Sequence, residues 1–187
     1  MHPLLAWARF LAVAAGYAVA FVSFQRFMPF SVTSPWFVAV AMVCFLGLAF
    51  VAQPIVMIRM PGPLRAVRGW EIEGGAYQAL GVPAYGRLLR RSPLRLFNVD
   101  VYLRGGLRDA ARVGAELEAA EASHFWAACL VAPYMVYLTT EGMWGALAGI
   151  SLAQALVNLY PIMHLRLARR RFERLAERKA LRASLTG

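Results

Sequence analysis

From Trp36 to Ile58 the chain runs for 23 residues without one charged side chain. As a helix this stretch reaches about 35 Å at 1.5 Å per residue, enough to cross the hydrocarbon layer of a bilayer. A single soluble domain of 187 residues could not hide it along with the other apolar runs, because 60% of the residues are hydrophobic and the mean hydropathy is +0.53. Three further windows are bordered by Arg, Pro or acidic residues, and the four expected spans lie at about 8–26, 36–58, 122–140 and 142–165. The sequence therefore predicts an all-α integral membrane protein with four transmembrane helices, in one membrane domain covering 1–187. The first window lacks a basic leader and a small-x-small cleavage site, so it reads as a retained span.

Of the twenty Lys and Arg residues, ten lie between Arg59 and Arg112 and eight between Arg166 and Arg182, while only Arg26 falls between the first two spans. By the positive-inside rule both termini and the middle segment are expected in the cytoplasm, on a bacterial cytoplasmic membrane. The net charge of +10 then belongs to one membrane face and attracts anionic lipid headgroups or an anionic substrate. No nucleic-acid-reading motif accompanies these arginines, so nucleic acid is not the expected partner. Cys44 and Cys129 both fall inside spans and read as small packing residues.

Residues 60–115 are neither a span nor a simple linker. Their mixture of aromatics, glycines and arginines suits short amphipathic helices in the headgroup layer, and the part from Trp70 to Arg104 is expected to be ordered there. Residues 166–185 read as a basic helix continuing the fourth span, its distal part anchored on anionic lipid.

The chemistry-bearing residues gather around the third and fourth spans. Glu121 and His124 are three apart on a helix and Glu116 lies eight before His124, so the three fall within about 140° of arc. A carboxylate beside an imidazole fixes its tautomer and stabilises the imidazolium, which suits a general base. The plainer reading is an interfacial helix start, where Glu is favoured by the helix dipole. Asn158, Arg166 and Arg169 share a face of the fourth helix, with Asn158 about 12 Å deeper than Arg166. A buried amide is costly in lipid, so Asn158 is expected to face the interior near His124, unless it only packs helices. His164 projects from another face and reads as interfacial. Pro161 is expected to loosen the helix and free a carbonyl.

These residues carry a resemblance. Glu116, Glu121 and His124 in the spacing E-x4-E-x2-H, then Asn158, Tyr160, Pro161, Arg166, Arg169 and Arg171, and upstream Glu73, Tyr77, Leu80, Gly81 and Val82, are similar to the pattern of small bacterial membrane acyltransferases related to glycosyl-4,4'-diaponeurosporenoate acyltransferase. The likeness extends from Trp70 to Leu175, with Phe125, Leu165 and Ala168 where the family pattern has Trp, Gln and Asn. It implies esterification of a sugar-bearing carotenoid, or another lipid-like hydroxyl acceptor, by a fatty acyl group. On that reading His124 is the base, Glu121 orients it, and Asn158 steadies the oxyanion or holds the acceptor. Glu116, Arg166, Arg169 and Tyr77 bind substrate. The arginines would hold an anionic donor, either a coenzyme A thioester or a lipid-linked acyl chain. No bound cofactor is expected.

Two other classes remain open. A non-catalytic subunit of a larger membrane complex, binding lipid or pigment, would use the same apolar spans. A di-metal helix bundle also uses Glu-x-x-His, but needs two such motifs with further carboxylates, and the chain offers one; no metal is expected.

Overall fold

The computed structural model describes residues 3–27, 34–52, 59–73, 75–93 and 110–186, and every element among them is helical. In order these are α1 (Pro3–Phe27), α2 (Pro35–Ala52), α3 (Gly62–Arg65), α4 (Gly69–Ile72), α5 (Ala76–Ala79), α6 (Val82–Arg91), α7 (Ala110–Thr140), α8 (Trp144–Gln154), a π-helical turn (Ala155–Leu159) and α9 (Tyr160–Thr186). They form two compact units, one of residues 1–59 with 122–159, the other of residues 60–121 with 160–187.

In the first unit, α1 and α2 open on Pro3 and Pro35, whose fixed φ suits the first helical position. The Ser34 hydroxyl accepts from the Trp36 amide at 3.3 Å and caps the second helix. Gly47 lets the two helices approach, for a Cβ there would run into the Tyr17 ring. A three-residue turn reverses the chain between α7 and α8. Met143 N–H reaches back to the Leu138 carbonyl at 2.9 Å and Gly142 N–H to Thr139 at 3.2 Å, the two bonds of a Schellman cap. That cap needs a left-handed residue, and Gly142 supplies it at φ 67°. Met42, Val131, Leu138 and Ile150 make the core. Leu4, Leu11, Val43, Leu130, Val136, Trp144 and Leu152 face outward instead.

In the second unit the described part of the middle segment holds α3 to α6, and α7 already begins at Ala110. Gly75 and Gly81, at φ 76° and 72°, make the turns before α5 and α6. Tyr77 and Val82 pack these short helices on Met163 of α9, and a second cluster of Val113, Leu117, Ala120, Leu165 and Phe172 joins α7 to α9. Gly86 gives α6 close access to α9, where a Cβ would stand 2.7 Å from His164 Cε1. His164 packs there, its ring edge-on to Tyr85 at 6.2 Å. The expected ordered stretch to Arg104 is described only to Pro93, and 94–109 lie outside the described residues.

One helix among the described residues, Trp144–Arg178, is long and apolar enough to cross a membrane by length and composition, and Leu4–Ala20 is a shorter apolar helix. The helix through the fourth expected window runs on into the basic tail. It begins at Trp144 and is interrupted only by the π turn.

Candidate active site

In the first unit His124 on α7 meets Asn158 on the π turn, with Nδ1 3.3 Å from Asn158 Oδ1. Asn158 is 1% exposed. Its amide nitrogen donates to Gln154 Oε1 and approaches Met42 Sδ at 3.2 Å. With the NH2 end so engaged, Oδ1 is left to accept a hydrogen from Nδ1. The Val157 backbone also lies within hydrogen-bonding reach of the ring. Pro161 has no N–H to give the carbonyl four residues before it, which is that of Val157. The π turn and the proline together thus turn Asn158 inward and leave a carbonyl for the imidazole.

In the second unit the charged residues form a ladder. Arg166 Nη1 lies 3.2 Å from Glu71 Oε1, and its Nε lies 2.6 Å from Glu121 Oε1. Arg169 reaches Glu121 and Glu118, each at 3.4 Å, and Glu118 pairs with Arg65 at 2.7 Å. Glu71 further accepts from the Tyr77 hydroxyl at 3.1 Å. Backbone carbonyls add to the guanidinium partners, Leu64 for Arg166 and Arg65 for Arg169 at 2.7 Å, while the buried Arg169 Nε is left without a hydrogen-bond partner. Burial pushes the Glu121 carboxyl above the usual carboxylate range, against the pull of Arg169 and Arg166. Burial likewise raises the Tyr77 phenol. Two buried acids, Glu71 and Glu121, meet two buried arginines, Arg166 and Arg169, so this interior is close to neutral, and Glu118 and Arg65 carry the ladder out to the surface.

The structure thus brings His124 to Asn158 in one unit, and Glu121, Arg166, Arg169 and Tyr77 to one network in the other. Glu116 is half-buried on α7. Glu71, Glu118, Gln154 and Met42 were not singled out from the sequence. Gln154 stands four residues before Asn158 and was legible as a second polar residue in an apolar run. Nothing local marked Glu71, whose arginine lies 95 residues away. Among the described residues no group of three or more His, Cys, Asp or Glu is placed to hold a metal ion.

Residues 64–178 match the family model of glycosyl-4,4'-diaponeurosporenoate acyltransferase. No curated protein and no solved structure matches the chain. The matched stretch is more than half of the chain and contains Tyr77, Glu121, His124, Asn158, Arg166 and Arg169. The protein therefore belongs to the glycosyl-4,4'-diaponeurosporenoate acyltransferase family.

Proposed function

We propose that the protein is a membrane O-acyltransferase working at the cytoplasmic interface on a lipid-like hydroxyl acceptor, a glycosylated carotenoid being the acceptor that the family description suggests. Four spans with both termini cytoplasmic fit the distribution of arginines and the outward apolar side chains. The observation that carries the reading is the His124–Asn158 pair. An imidazole whose Nδ1 hydrogen is held by a buried amide presents Nε2 as a base in a fixed orientation. The acceptor oxygen attacks the carbonyl carbon of an acyl thioester as Nε2 takes its proton. The carbon–sulfur bond then breaks, and the imidazolium returns the proton to the leaving thiolate. Glu121, Arg166 and Arg169 support this work by ordering the second unit, since each already has opposite charges for neighbours.

The test is mass spectrometry of lipids and pigments from cells with the protein, without it, and with His124→Ala. An acyl-sized mass gain on a glycosylated lipid or carotenoid that needs both the protein and His124 is expected. An unchanged product level in His124→Ala would remove the base from this scheme.

A further inference from the structure

Within the second unit a cavity of about 210 Å³ lies among α4, α5, the start of α6 and α9. Its wall has two characters. Ile72, Pro83 and Leu167 make an apolar side, and Arg170, Arg171 and Arg174 make a cationic one. Positions 170 and 174 are one helical turn apart and 171 and 174 nearly so, which puts all three guanidinium groups on neighbouring rows of α9. Gln78 adds an amide to the lining.

Two carboxylates stand among these arginines. Arg174 meets Glu73 Oε1 at 2.7 Å, and Arg170 lies 4.0 Å from the same oxygen and 3.4 Å from Glu173. Among the described residues no ion pair is formed by Arg171, and three arginines against two carboxylates leave one positive charge over. The Glu73 and Glu173 side chains are 59% and 44% exposed, so their ion pairs are solvated and weak. A dianion entering the cavity would displace Glu73 easily, while the buried pairs of Glu71 and Glu121 would stay closed.

We infer that this cavity binds a phosphate or diphosphate group carried on an apolar or aromatic body. Guanidinium forks match phosphate oxygens two at a time, and the apolar wall receives the adjoining carbon atoms. A cavity of about 210 Å³ has room for a diphosphate group. Such a group has two sources, the diphosphate of a coenzyme A thioester and the headgroup of an anionic phospholipid. The first rests on the acyl-transfer reading, and the second does not.

The experiment uses the full chain purified in detergent, titrated with coenzyme A by calorimetry. In parallel, its adhesion to phosphatidylglycerol vesicles is compared with adhesion to phosphatidylcholine vesicles. Arg171→Gln and Arg174→Gln should each weaken coenzyme A binding at least tenfold, inorganic diphosphate should compete, and Glu73→Gln should tighten binding severalfold by removing the resident carboxylate. If phosphatidylglycerol adhesion alone follows these variants, the phosphate is a lipid's. Coenzyme A affinity and vesicle adhesion both unmoved by all three substitutions would overturn the site. Arginine-dependent binding in a chain that makes no acyl product would keep the cavity and end the transfer reading. Full product with unmoved affinity in the arginine variants would do the reverse.

Discussion

Arg166 touches more partners than any other charged side chain described, and its removal exposes what the ladder does. Arg166→Leu would leave Glu71 with only the Tyr77 hydroxyl and the Arg68 amide, and Glu121 with Arg169 as its one ion-pair partner, so a loss of about 3–5 kcal/mol is expected. Thermal melts in detergent should show it, and Arg166→Lys should recover only part, because an ammonium cannot span two carboxylates as the fork does. His164→Ala belongs to another class. Its ring fills the space over Gly86 beside Tyr85, so the variant should lose about 1 kcal/mol of stability and keep its acyl product. The same residues show what the sequence disclosed. Their places in two separate apolar runs marked His124 and Asn158 as polar groups needing company. Spacing could not reveal that Arg166 would choose Glu71, since that pairing is fixed by how α4 docks and not by any local period.

At the scale of elements, the π turn sets the direction of Asn158. Pro161→Ala restores an N–H to the helix and allows a regular α-helical turn, which would swing Asn158 around the axis and take its oxygen from His124. The expected result is a melting temperature equal to or above that of the wild type with transfer lowered at least tenfold. Equal activity would separate the π turn from the chemistry. The proline was visible in the sequence as a helix-loosening residue, but the form of the irregularity was not, because a kink, a bulge and a π turn all answer the same missing donor. The short helices α3 to α6 were legible in kind through their aromatics and glycines. Their boundaries came from left-handed turns at Gly75 and Gly81, two of several glycines that the sequence offered equally.

The whole molecule divides its labour between a unit with outward apolar side chains and one with an ionic interior. The proposed four-span topology places the ends of the chain on one side and the α1–α2 connection on the other. Reporter fusions at Ser34 and after Thr186 should therefore show opposite sidedness, and a shared side would overturn it. The four spans were read from composition, while of the described helices only Trp144–Arg178 meets the length and apolarity that crossing demands. Part of the second expected span, 53–58, lies outside the described residues, and α7 begins at Ala110, so that it carries Arg112, Glu116, Glu118 and Glu121 ahead of its apolar part. The ladder of Glu71, Arg166, Glu121, Arg169, Glu118 and Arg65 has a last consequence, and it concerns inheritance. A row of alternating charges is balanced only when every rung is present, so a drift at one rung strands an ion indoors unless its neighbour drifts too. The four buried rungs, Glu71, Glu121, Arg166 and Arg169, should therefore change among relatives only in compensating pairs, while Arg65 and Glu118 at the exposed end are free to drift.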